Sequence, residues 1–549
     1  MNTTKRMEWK KLLSTKRVRE LTGKPSSQSL SNTCRSEFGR DKDQIIFSYP
    51  FRRLQDKTQV IPFPKADFVH TRLTHSLEVS SIGHSLVCAI WEKIKGEVEQ
   101  ANFHREDVTT LVEAACLAHD IGNPPFGHSG EDSISEFFSS NSPTAEKLIE
   151  SFIKVDNFWF YLIEKCILDG QEIEHAEENF TIKMSHDDAR TTVVIRFIPK
   201  DGSKTQEFSV SVDDYKKWHD LTHFEGNANV FRIMLDACDD GLNPTLALLG
   251  TLAKYPRESF LRELPEDFKN QKGMSKYGFF QSEKETFRKV AKELGLLKKD
   301  GVSSLDIAYC RHPLVFLMEA ADDIAYKVID FEDGCRLKLI DLDKKYSLKV
   351  DDADTEIIIS HELVELFKSK VYSGFDENRY SNLTNNKARI AYFRSCLIKI
   401  LIQECSDVFN SEYENIMSCK FDSDLIGHVL EDTQQCLKKM KSLVKEFVYQ
   451  YRPVLTCETS GFKVIKGLME AWIESTIICY TCKDFETKSN EKNRALLPKK
   501  FRPTSESTNQ VLDFNEKYSR VLKILDYVSG MTDTYAVDLY KRMHGIQLD

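Results

Sequence analysis

Leu111-Val112-Glu113-Ala114-Ala115-Cys116-Leu117-Ala118-His119-Asp120-Ile121 runs straight into Gly122-Asn123-Pro124-Pro125, and the reading of this junction decides the fold. Ala114, Ala115, Leu117 and Ala118 fit a helix, whereas Gly-Asn-Pro-Pro stops one, so His119 and Asp120 belong to a last helical turn. Upstream, Arg72-Leu73-Thr74-His75-Ser76-Leu77-Glu78 opens a second run. Its apolar residues Leu73, Leu77, Ile82, Leu86 and Ile90 share one helix face, with His75 near the start. Downstream, Pro313 to Val328 embeds Asp322-Asp323 among Leu317, Met318, Ala320, Ala321 and Ile324. An acid in such surroundings needs a positive partner. The chain reads as mainly α.

Imidazole and carboxylate groups on separate helices can close around one divalent metal, which makes His75, His119, Asp120 and Asp322 candidate ligands and points to metal-assisted phosphate hydrolysis. Taken singly, each has an ordinary explanation. A histidine on an apolar helix face is more often a hydrogen-bonded core or surface group, and adjacent helical residues diverge by about 100°. The loop after the doublet adds a second signal. Gly122-Asn123-Pro124-Pro125-Phe126-Gly127-His128-Ser129-Gly130-Glu131 is a glycine-punctuated turn that delivers His128 and then Glu131. A histidine held by a carboxylate is a proton-transfer pair. Alternatively, Ser129 to Glu131 only start a helix over Ser133 to Phe138, with acids favouring its N-terminus.

Together these residues resemble the HD-domain metal site, and the phrases around them resemble the bacterial deoxyguanosine triphosphate triphosphohydrolases. The resemblance is carried by Arg35-Ser36-Glu37-Phe38 with Arg40-Asp41, Phe51 through Val60, His70 through Val79, His119 through Glu131, Phe224 through Ala228, Lys254-Tyr255-Pro256, Asp322 through Asp333 and Gly530-Met531-Thr532-Asp533. It implies an HD-type helical core and cleavage of a deoxynucleoside triphosphate at the α-phosphorus, releasing deoxynucleoside and tripolyphosphate. It also implies a divalent metal on His75, His119, Asp120 and Asp322, with Mg or Mn expected and Fe, Co or Ni open, because mixed His and carboxylate sets accept several ions. His128, oriented by Glu131, would move the proton in one direction or the other.

By the same resemblance Arg72, Asn227, Lys254, Tyr255 and Tyr326 contact the triphosphate, and Gln59 and Asp330 hold the sugar 3′ hydroxyl. The residue types suit phosphate and hydroxyl recognition. Asp322, Tyr326 and Asp330 also follow one another at four-residue steps, on one helix face. Without the resemblance, Lys254-Tyr255-Pro256 reads equally as a helix end before proline. One departure concerns Gly530-Met531-Thr532-Asp533, commonly followed in the family by Arg before Tyr. Here Thr534 precedes Tyr535, which weakens the expectation of a strict base preference.

Composition agrees with a cytoplasmic enzyme. The 549 residues are 41% hydrophobic with no apolar run long enough to span a bilayer, and no signal-peptide pattern opens the sequence. A net charge of −9 argues against bulk coating of nucleic acid; Lys488 to Arg502 reads as a solvated loop, with a local anion or nucleic-acid contact, single-stranded DNA included, left open. The fourteen cysteines are scattered, with Cys479 and Cys482 the one close pair, and read as buried reduced thiols.

We expect an N-terminal arm at 1–34, weakly ordered; an HD-type catalytic core at 35–340, interrupted at about 180–215 by a β-hairpin insert; and a helical C-terminal lobe at 341–549. Lys338 to Asp354, with interleaved Lys and Asp, is expected at the surface. The C-terminal motif should fold back toward the site or a neighbouring subunit, and the resemblance suggests a homo-oligomer. Two other functions stay open: a different HD phosphohydrolase, such as a nucleotidase or cyclic-nucleotide phosphodiesterase, and a nucleotide or single-stranded DNA sensor.

Overall fold

Thr71 starts the helix that carries His75. Its hydroxyl accepts the Thr74 N–H while the Thr74 hydroxyl accepts the Thr71 N–H, a reciprocal cap that satisfies two amides the helix leaves unpaired. The helix then runs from Arg72 to Gln100. In the computed structural model, which describes residues 5–21, 35–61, 69–140, 142–153, 157–170, 172–177, 179–187, 191–236, 242–264, 268, 271–481, 486–503 and 512–546, this helix packs against Arg105–Ala118 and Val315–Arg336. Gly83 lies where the three meet. A Cβ there would stand 2.7 Å from Cys116 Sγ and 3.8 Å from the Ala321 methyl, so glycine permits the close approach that brings His75, His119 and Asp322 together. Leu77, expected on the buried face, is exposed; Val79, Ile82, Leu86, Ile90, Ile94 and Val98 are buried instead.

The hairpin expected at 180–215 is the second half of a larger unit. Strands β1 (Ile173–Ala176), β2 (Phe180–His186), β3 (Thr192–Pro199) and β4 (Gln206–Ser211) form an antiparallel meander in that order. Val194 pairs with Ser209 across β3 and β4. Neither β1 nor β2 was expected as a strand; the four residues of β1 are too few to establish an alternation. One face of the sheet, Ile182, Met184, Val193, Ile195 and Val210, is buried in a core shared with Phe137, Phe138 and Trp218. A second hairpin joins β5 (Tyr346–Val350) to β6 (Ala353–Ile357), overlapping the end of the stretch read as surface. Asp351 and Asp352 turn it with φ of 47° and 65°.

Packing does not follow the boundary expected near residue 340. The largest core gathers residues from Met7 to Val454, and a second large one runs from Phe126 to Ala536. Nor is the described part of the N-terminal arm loose. Met7, Trp9, Leu12 and Leu13 are buried, Trp9 Nε1 donates to the Tyr413 hydroxyl at 2.7 Å, and the Arg6 guanidinium sits 2.7 Å from Glu97. Ser/Thr/Lys content concealed this apolar spacing; residues 22–34 lie outside the described set.

Cys310 and Cys419 are joined by a disulfide, correcting the reading of every cysteine as a free thiol. The two are 109 positions apart in sequence, and only the fold brings their Cα atoms to 5.7 Å. Cys479 is buried, and Cys482 lies outside the described residues. Among the described residues, no helix is long and apolar enough to cross a membrane.

Candidate metal centre and catalytic cleft

His119 caps the Arg105–Ala118 helix with its backbone still α-helical, and its ring is fixed from behind. Nδ1 lies 2.6 Å from the Cys116 carbonyl, an acceptor, so Nδ1 carries the hydrogen and Nε2 presents a lone pair. That Nε2 is buried and makes no hydrogen bond. It faces Asp322 Oδ1 at 3.4 Å and Asp120 Oδ1 at 3.5 Å, while His75 Nε2 lies 3.1 Å from Asp322 Oδ1. Donor atoms of His75, His119 and Asp322 all fall within 4.8 Å of one another. A bare nitrogen aimed at two carboxylates in a buried pocket fits a cation. Asp120 stands beside this cluster.

Charge around the centre is balanced by two long cations. Arg72 reaches Asp120 Oδ2 at 2.7 Å, and Lys254 Nζ reaches Asp322 Oδ2 at 2.5 Å, the positive partner that the apolar helix demanded. Burial opposes ionisation of Asp120, but Arg72 and the imidazoles outweigh it and hold the carboxyl well below its ordinary range. Asp322 is depressed for the same reason, against burial, by Lys254 and His119. Asn123 Nδ2 supports Asp120 Oδ1 at 2.5 Å.

Past the doublet, Phe126 and Gly127 take φ of 64° and 62°, and the His128–Ser139 helix begins. A Cβ on Gly127 would lie 2.6 Å from the Arg72 guanidinium, so glycine is required by both backbone and contact. The helix starts at His128, ahead of the expected Ser133, yet the pair is formed: His128 Nδ1 sits 2.9 Å from Glu131 Oε2, and Glu131 Oε1 accepts the Gly226 N–H at 2.8 Å. The hydrogen bond to Glu131 raises the His128 pKa.

A cleft of about 540 Å³ opens over these groups. Of the thirteen residues singled out in the sequence, His75, His119, Asp120, Asp322, His128, Glu131, Gln59, Arg72, Asn227, Lys254, Tyr255 and Tyr326 line it. Asp330 does not. It is buried one turn deeper, accepts the Tyr449 hydroxyl at 2.8 Å, and is pushed up to about 7 by burial. Tyr449 also contacts the Tyr326 hydroxyl, so it stands between Asp330 and the cleft. Tyr449, Lys272 and Lys276 line the cleft and were not anticipated; nothing in their local sequence marks them. Asp533 was anticipated only as part of a motif that folds back. Its carboxylate lies beneath the cleft, on Thr58 and Phe126. In the basic stretch, Arg494 and Arg502 bind the carbonyls of Ser475 and Leu497.

The HD domain model matches residues 72–199, and a phosphohydrolase-associated domain model matches residues 428–542. With a His/Asp cluster on packed helices, this makes the chain a phosphohydrolase of the metal-dependent HD superfamily. A relative from Synechocystis sp., a deoxyguanosinetriphosphate triphosphohydrolase-like protein, is 32% identical over 99% of this chain and 100% of its own length. One of the same name from Listeria monocytogenes is 30% identical over 98% and 100%. The Salmonella typhimurium deoxyguanosinetriphosphate triphosphohydrolase is 28% identical over 93% of this chain and 94% of its own. The chain belongs to the deoxyguanosinetriphosphate triphosphohydrolase family.

Proposed function

We propose that the protein hydrolyses dGTP, within the class of deoxynucleoside triphosphates, to deoxynucleoside and tripolyphosphate by attack of water at the α-phosphorus. The observation that carries this reading is the meeting, in one cleft, of the His75/His119/Asp322 cluster, the His128–Glu131 pair and the cations Arg72, Lys254, Lys272 and Lys276. His75, His119, Asp120 and Asp322 would hold a divalent ion, Mg or Mn first among the candidates, which would supply positive charge for the phosphate and lower the pKa of water. His128 moves the proton at the leaving 5′ oxygen or the incoming water, with Glu131 fixing its ring. Arg72, Lys254, Asn227, Tyr255 and Tyr326 hold phosphate oxygens, and several donors are needed for so many acceptors. Gln59, whose Oε1 is buried without a partner, takes the sugar hydroxyl, and Asp330 assists once Tyr449 yields its hydrogen bond.

The test is product analysis by ³¹P NMR after incubation with dGTP and Mg or Mn. Tripolyphosphate is expected; orthophosphate or pyrophosphate, or binding without turnover, overturns the reading. We extend the proposal to a cytoplasmic homo-oligomer with a single-stranded DNA contact, checked by light scattering with and without an oligodeoxynucleotide.

A further inference from the structure

None of Gly530, Met531, Thr532 and Asp533 lines the cleft, yet Asp533 is 1% exposed and its carboxylate is shared between two loops that do. Oδ2 accepts the Thr58 N–H at 2.9 Å, and Oδ1 accepts the Phe126 N–H at 2.9 Å. Thr58 and Gln59 line the cleft, and so do Phe126 and the Gly127 and His128 that follow it. Phe126 carries a side chain at a φ of 64°, a conformation that persists only where the surroundings hold it. Asp533 holds its amide. Two more buried groups close the same junction. Lys57 Nζ donates to the carbonyls of Asn123 at 2.5 Å and Ser529 at 2.8 Å, and Asn229 Nδ2 donates to the Gly122 carbonyl at 2.7 Å and Ser529 Oγ at 3.1 Å.

We propose that Asp533 is a positioning residue for the reaction: one rigid carboxylate, gripping the Thr58 and Phe126 amides together, sets the distance across the cleft between Gln59 and His128. The inference rests on the proposed roles of Gln59 at the sugar and His128 in proton transfer. Asp533 touches neither substrate nor metal ligand. Its effect therefore falls on turnover and sugar choice, because a small misplacement of reacting groups is costly, while the metal cluster is held separately by the helices packed at Gly83. Both oxygens face N–H donors, so an amide in their place offers an NH₂ to one of them.

The full-length Asp533→Asn, Asp533→Glu and Asp533→Ala variants, loaded with Mn, provide the test. In Asp533→Asn, hydrogen exchange at the Thr58 or Phe126 amide should accelerate about 10-fold or more while the helix interiors keep their protection. With dGTP, kcat should fall roughly 10-fold or more, with little change in KM and with metal stoichiometry intact. The dGTP-to-GTP ratio of kcat/KM should narrow as well. Asp533→Glu, which retains two acceptors, should recover part of the loss. Wild-type exchange at both amides in Asp533→Asn overturns the clamp. Fast exchange with unchanged kcat and sugar ratio overturns its functional role. Should Asp533→Ala fail to fold, Asp533→Asn decides, and activity lost only in proportion to folded protein counts against the proposal. His128→Ala with wild-type turnover would refute the His128 assignment alone, since amide exchange in Asp533→Asn reports the clamp independently.

Discussion

Lys254 Nζ stands 2.5 Å from Oδ2 of Asp322, on the side of the carboxylate away from the imidazoles, which approach Oδ1. One lysine therefore neutralises a candidate metal ligand and lines the substrate cleft. Removing it tests which task dominates. Lys254→Ala is expected to raise KM for dGTP about 10-fold or more, the worth of a charge-assisted hydrogen bond, with a smaller fall in kcat. Loss of metal by mass spectrometry of the purified variant would show instead that Lys254 serves Asp322.

Asp322→Ala or His119→Ala should lose metal and activity together while circular dichroism and melting stay close to wild type. The core spans both halves of the chain and does not depend on the ion alone. Near-normal turnover with normal metal content in either variant removes these residues from the ligand set.

His128→Ala should keep its metal and lose roughly 10²-fold in kcat. The Glu131 hydrogen bond raises the His128 pKa, so His128 keeps its proton to higher pH than a free imidazole. Glu131→Gln removes that charge, and the limb of the pH–rate profile set by His128 should move to lower pH: the alkaline limb for an acid, the acidic limb for a base. An unmoved profile in Glu131→Gln would break the pairing.

The helices bearing His75, the doublet and Asp322 were legible because apolar periodicity and Gly/Pro stops are local signals. Their extents were less so. The third helix continues past the expected Val328 and past Asp330 to Arg336, and its later acids are satisfied from elsewhere, Glu332 by Arg394 at 2.8 Å and Asp333 by His70 at 3.0 Å. Gly83 gave no hint of three helices meeting at it. Tyr449 on Asp330, Lys276 in the cleft and the bond between Cys310 and Cys419 all depend on partners distant in sequence, which no local pattern encodes.

Sugar choice should follow from the Gln59 side of the cleft. Comparison of dGTP, GTP and 2′,3′-dideoxy-GTP is expected to show preference for dGTP, because an unpaired buried hydroxyl costs about 1–3 kcal/mol and a clash adds to it. Asp330→Ala should lower kcat/KM for dGTP. Equal kcat/KM for all three nucleotides on the wild type would show that neither Gln59 nor Asp330 reads the sugar.

Away from the cleft, Lys216 is fully buried between Glu258 at 2.9 Å and Asp306 at 2.6 Å, and Arg262 joins it on Asp306. Lys216→Met should destabilise the protein by about 3–5 kcal/mol, since acids remain buried with less compensation. Urea denaturation measures it; a loss under about 1 kcal/mol would mean that Arg262 and Lys284 suffice.

The Trp9–Tyr413 hydrogen bond has a bearing on how the molecule is made. Trp9 leaves the ribosome well before its seat, which belongs to the Asn386–Met417 helix, where the Met7 amide also donates to the Met417 carbonyl. Until that helix has been synthesised, Trp9, Leu12 and the side of the Arg72–Gln100 helix that packs against it lack their final cover. The β1–β4 meander, by contrast, pairs only neighbours and can form as it emerges. The nascent chain thus carries apolar surface until that point, and chaperone occupancy on stalled ribosomes should drop once the Asn386–Met417 helix clears the exit tunnel.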